Sequence, residues 1–128
     1  MTRFFILIAL VLGSAGFVFS AAGQSPVPPR FVVVVDASAG RDEAAIDAAT
    51  RAVTAARRGA EGELRITRTP TEQLSVTRYF AARGYDIVGV GLDPRIAVDP
   101  VAERYPSTRF SLVDSSDLPS TVAAAAAR

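Results

Sequence analysis

Phe31-Val32-Val33-Val34-Val35-Asp36 decides the fold. Five apolar residues, four of them β-branched, stand in a row and stop at a carboxylate. A strand with one wet face alternates apolar and polar residues. A run without alternation is covered on both faces, which is the mark of a parallel sheet with helices above and below.

The sequence on the carboxyl side continues the pattern. Ala37-Ser38-Ala39-Gly40-Arg41 is a turn, and Asp42-Glu43 then places negative charge in the first turn of a helix, where the helix dipole favours it. Ile46, Ala49, Val53 and Ala56 recur on one apolar helical face. Arg51, Arg57 and Arg58 lie off that face or at its end, interspersed with acids, and read as solvated. Gly59 to Gly62 ends the helix. Leu64-Arg65-Ile66-Thr67-Arg68 alternates, which predicts a second strand with one face nearer water. Thr69-Pro70-Thr71-Glu72 is a capping box with proline at the first helical position. It opens a helix over Leu74, Val76, Thr77, Phe80 and Ala81, with Gly84 as a left-handed cap.

Asp86-Ile87-Val88-Gly89-Val90-Gly91 is a third strand. Asp93-Pro94 and Asp99-Pro100 are both cap-plus-proline pairs, predicting a helical turn, a break at Pro100 and a second turn to Arg104. Arg109-Phe110-Ser111-Leu112-Val113 is the fourth strand, ending at Asp114. In the tail, five alanines after Val122 favour helix by propensity. The fold class is α/β: an open parallel sheet of four to five strands flanked by helices.

Ahead of the first strand, Arg3 precedes sixteen uncharged residues, Phe4 to Phe19, and then Ser20-Ala21-Ala22. This is a secretory signal peptide over residues 1–22, with cleavage after Ala22 or Ser20. The run falls short of the ~20 apolar residues that span a bilayer, so cleavage is expected rather than anchoring, and the membrane enters only through an uncleaved leader. Residues 23–30 form a Pro-rich spacer, and 31–128 a single α/β lobe in a secreted, periplasmic or envelope compartment.

Composition excludes much chemistry. The chain has no Cys and no His, and all fourteen of its Lys-plus-Arg cations are Arg. Thiol, imidazole and Schiff-base lysine chemistry are therefore absent, and no nucleophile–base pair can be assembled from the usual groups. The expectation is a protein that is not an enzyme and has no metal or cofactor. Without Arg3 the cations equal the thirteen acids, so no basic excess exists for nucleic acid. In open α/β sheets ligands sit beyond the carboxyl ends of the strands. The residues delivered there are Asp36, Ser38 and Gly40, then Gly89 and Gly91, then Asp114 and Ser115. Each also has a purely structural reading: a helix cap for Asp36, a turn for Asp114, tight packing for the glycines.

Gly84-Tyr85-Asp86-Ile87-Val88-Gly89-Val90-Gly91 and Tyr105-Pro106-Ser107-Thr108-Arg109-Phe110-Ser111-Leu112-Val113-Asp114 resemble the "GYDLIIGVG" and "YPDVKFAIID" stretches of the basic-membrane-protein family. These are purine-nucleoside-binding extracytoplasmic components of ABC importers. Phe31 to Asp42 is similar to the family's opening strand and turn, and Leu118-Pro119-Ser120-Thr121-Val122 to its "LPNV" approach to a fifth strand. The resemblance implies one lobe of a type I periplasmic binding protein, incomplete relative to the family, with Asp42 added to the ligand residues. It implies a nucleoside-like ligand and, as partners, an ABC permease, a second lobe or a second copy of the chain. The alternative is an envelope interaction module on the same fold without a small ligand. Two departures matter. The family carries Ser-Phe-Asn after the second aspartate, its ring stacking on the base, where this chain has Glu43-Ala44-Ala45-Ile46. Many members are lipoproteins, and this chain has no Cys to acylate. Nucleoside binding is accordingly expected to be weak or vestigial.

Overall fold

The computed structural model describes residues 27–37, 43–57 and 59–128. The leader with its cleavage sites, most of the spacer, Arg58, and the turn carrying Ser38, Gly40 and Asp42 lie outside the described residues. Among the described residues no helix is long and apolar enough to cross a membrane.

Among the described residues four parallel strands form the sheet: β1 (Arg30–Asp36), β2 (Glu61–Thr67), β3 (Asp86–Val90) and β4 (Phe110–Leu112). Their spatial order is β2-β1-β3-β4. Helix α1 (Glu43–Ala56) links β1 to β2, and α2 (Pro70–Ala81) links β2 to β3. A π-type turn (Pro94–Val98) runs into α3 (Asp99–Arg104) before β4, and α4 (Leu118–Ala126) follows β4. The α/β fold is as the strand pattern requires.

The unbroken apolar run of β1 is explained by its neighbours. Phe31 through Val35 are all 0 % exposed, because β1 has a strand on each side and a helical layer on each face. Phe31, Val33 and Val35 meet Ala49, Val53, Leu118 and Val122 of α1 and α4. Val32 and Val34 meet Phe80, Ala81, Leu92, Ala97 and Val101 on the other face. Burial of each such side chain contributes about 1.5–3 kcal/mol as an upper estimate, so this strand is a large part of the core on both faces of the sheet.

Several local expectations are corrected. Gly62 does not end a helix: it lies inside β2, where a Cβ would come within 2.6 Å of the Phe31 ring. Glycine there makes room for the largest side chain of β1. The capping box forms with a shift. Thr69 Oγ1 accepts from Glu72 N–H at 3.1 Å, but Glu72 Oε1 accepts from Arg68 N–H, one residue before the cap, at 2.6 Å. In α2 the buried positions include Gln73 and Thr77, while Leu74 and Val76 are only half-buried. Gly84 takes φ +78°, as a left-handed helix end requires. Asp99 is not a cap but a helical residue whose N–H reaches Pro94 O. Pro100 has no N–H, and its ring crowds the carbonyl four residues back; the wider turn ahead of it relieves that conflict without leaving the helix. Arg57 is exposed but not merely solvated, since its Nε donates to Gly62 O at 3.3 Å. The tail, for which propensity favours helix and the resemblance implies the approach to a fifth strand, is helix. Leu118, Val122 and Ala125 recur on one face, and that face closes over β1 and β3 beside α1.

Candidate functional site

The strand order creates one switch point. From β1 the chain goes outward to β2 through α1 on one face, then crosses back past β1 to β3 through α2 on the other. The crevice between the carboxyl ends of β1 and β3 is therefore where a ligand has access to backbone. Asp36 ends β1 there, half-buried. Gly91, one residue past β3, has φ +77° and lies against it: a Cβ on Gly91 would be 3.6 Å from both the Cβ and the carbonyl oxygen of Asp36. Glycine is required at 91 by the backbone conformation itself.

Gly89 has a different reason to be glycine. A Cβ there would come within 2.6 Å of Leu92 Cδ1 and 2.7 Å of Leu112 Cδ2. The two leucines occupy that space, so Gly89 serves packing. Beside it a shallow recess of about 270 Å³ is lined by Gly89, Gly91, Leu92, Leu112, Val113, Asp114 and Asp117. Asp114 is exposed, and its carbonyl accepts from Asp117 N–H at 3.1 Å, forming the turn that leads into α4. Ser115 is half-buried and does not line the recess. The fold thus brings Asp36, Gly89, Gly91 and Asp114 to one edge of the sheet.

Sequence reading missed three contributors. Asp117 lines the recess and precedes α4, yet its side chain makes no capping bond. Its signal was spacing, three residues after Asp114. Gln73 is 5 % exposed, and its Oε1 accepts from Asp93 N–H at 3.1 Å, tying α2 to the segment after β3. Nothing in the sequence distinguishes this glutamine from a solvated one. Thr67 ends β2 fully buried, with its Oγ1 unpartnered, while its carbonyl accepts from Ala37 N–H at 2.7 Å.

At the recess Asp114 and Asp117 offer carboxylate acceptors, and Asp93 nearby is occupied by Arg95, accepting from its N–H at 3.0 Å. The carboxylates lining this edge suit a neutral ligand rich in donors, such as hydroxyls or ring N–H groups, and repel an anion. Among the described residues no group of three or more acids is gathered closely enough to hold a metal ion. No family model, no curated protein and no solved structure matches this chain.

Proposed function

We propose that the chain is an extracytoplasmic substrate-binding lobe, related to those of ABC importers of nucleoside-like solutes, and that it binds such a solute weakly. The observation that supports this is the edge at the switch point. Carboxylates from two different strand ends, Asp36 and Asp114, share it with a glycine held at positive φ. Sugar hydroxyls and ring N–H groups are the donors those carboxylates accept. Weakness follows from size. The recess is about 270 Å³, just under the ~300–1,000 Å³ of sites that bury most of a ligand. Among the described residues no aromatic side chain lines it to stack on a base.

The reading includes export through the leader, no catalysis and no resident cofactor. Titration calorimetry of the exported chain with guanosine, inosine and adenosine tests it. Dissociation constants in the millimolar range are expected, lost in Asp36→Asn and Asp114→Asn variants; heats unaffected by either variant would refute it. The second reading, an envelope interaction module, is favoured by a separate feature: Leu112 is 41 % exposed on the outermost strand.

A further inference from the structure

Among the described residues the outer side of β4 is an open pairing edge, and its details select a partner. Ile87 N–H donates to Arg109 O at 2.8 Å, and Val113 N–H donates to Gly89 O at 2.9 Å. The odd-numbered residues of β4 therefore direct their backbone groups to β3. By strand alternation, Phe110 and Leu112 direct theirs away from the sheet. Among the described residues no other element pairs with them.

We infer that β4 pairs antiparallel with β4 of a second copy of this chain, about a two-fold axis through Ser111. In this register Phe110 of each copy is the hydrogen-bonded partner of Leu112 in the other, so every outward N–H and C=O of both residues is satisfied. Moving the axis to Phe110 puts Leu112 opposite Thr108, outside the strand, and moving it to Leu112 strands Phe110 in the same way. Side chains agree with the backbone. Phe110 packs on the α2 side of the sheet, and Leu112, two residues on, shares that face. Pairing sets each ring against the exposed leucine of the other copy, a favourable cross-strand combination.

Charge is complementary as well. Arg109 and Asp114 are exposed at opposite ends of the strand, and neither side chain has a partner among the described residues. The two-fold places Arg109 opposite Val113 of the second copy, adjacent to its Asp114. An isologous contact repeats this approach of opposite charges at both ends of the strand. It also brings a cation from the second copy to the rim of the recess lined by Val113 and Asp114. The contact is small, below the ~1,200 Å² of standard stable interfaces, so the dimer is concentration-dependent rather than permanent.

The test is disulfide trapping combined with sedimentation velocity on the full chain, with no nucleoside present, so its outcome is separate from the solute-binding reading. The chain has no native Cys. Ser111→Cys puts two thiols opposite each other in a close, non-hydrogen-bonded pair, within the ~4.4–6.8 Å Cα separation a disulfide accepts. Ser111→Cys is expected to oxidise to a covalent dimer much faster than Thr108→Cys, whose position faces Asp114 of the second copy. Leu112→Lys should abolish concentration-dependent association while keeping the far-UV circular dichroism of the parent. Association is expected to weaken in Arg109→Asp and to return when Asp114→Arg is added. A chain that stays monomeric throughout the concentration series overturns the inference. Equal cross-linking at 108 and 111, or a dimer that survives Leu112→Lys, does so too.

Discussion

The two edges of this sheet are defended differently. Strand β2 is seven residues long and carries Glu61, Glu63 and Arg65, with an ion pair between Glu63 and Arg65 at 3.0 Å. Helices α1 and α2 pack against it from opposite faces. Strand β4 is three residues long, has no charge within it, and has neither α3 nor α4 packed closely over it. Natural sheets protect edges with charge, with cover or with shortness. The β2 edge uses the first two and β4 only the third. The β2 edge carries charges that disfavour pairing with another chain, whereas β4 keeps a short uncharged register.

The largest expected effect tests whether β2 is as tightly integrated as its cover implies. Gly62→Val should destabilise the domain by about 1–3 kcal/mol, since the new side chain must displace the fully buried Phe31 ring. Denaturant midpoints at unchanged slope measure it. A smaller loss than that of Leu112→Ala on the outer strand would reverse the comparison. Hydrogen exchange at concentrations where the chain is monomeric supplies a second view: amides of β1 and the inward-directed amides of Glu61, Glu63, Arg65 and Thr67 should exchange near the global rate, and those of Phe110 and Leu112 far faster.

Next in size is the switch point between the two halves of the sheet. Gly91→Ala forces a Cβ residue to φ +77°, at a cost of about 1–2 kcal/mol, although its nearest non-neighbour atoms are a comfortable 3.6 Å away. The loss is therefore conformational, and Gly91→Asn, which tolerates the left-handed region better, should recover part of it. If Asn proves no better than Ala, backbone strain is not the reason for glycine at this position. Thr69→Ala, at the β2–α2 junction, should cost ~1 kcal/mol through loss of the 3.1 Å bond from Glu72 N–H. Glu72→Ala removes the other half of the box, and its effect should fall on Arg68, the residue that follows β2.

Most of the architecture was legible because it rests on short-range rules. An apolar run without alternation requires two covered faces, and Thr69-Pro70-Thr71-Glu72 requires a helix start whatever surrounds it. What was not legible depended on neighbours distant in the chain. Gly62 reads as a helix terminator until Phe31 is seen beside it. Gln73 and Thr77 occupy buried positions of α2, and Gln73 does so because Asp93, twenty residues on, supplies its partner. The tail could be propensity helix or fifth strand by sequence. Packing decided it, since Leu118, Val122 and Ala125 complete the layer begun by α1. At the site, strand ends were legible and side-chain roles were not. Asp36 and Gly91 meet only through the crossover of β2 to β3, which no local pattern encodes.

The smallest effect gives the sharpest comparison, because the two edges offer a matched pair. Ile66 on β2 is 40 % exposed and Leu112 on β4 is 41 % exposed. Replacing either by lysine removes a similar apolar area from the monomer and leaves an aliphatic stem that can cover much of the same surface. Each change should therefore shift monomer stability by only ~0.5 kcal/mol, within the usual range for partly exposed positions. Their effects on association should nevertheless diverge. Ile66→Lys adds a charge to an edge already carrying three, and concentration-dependent sedimentation should be unchanged. Leu112→Lys puts a desolvated ammonium opposite Phe110 of the second copy, and association should disappear. Parallel thermal melts and sedimentation of the two variants measure both quantities on the same samples. Equal loss of association from both would mean that surface charge in general, and not the β4 register, governs self-association, and the asymmetry between the edges would lose its functional meaning.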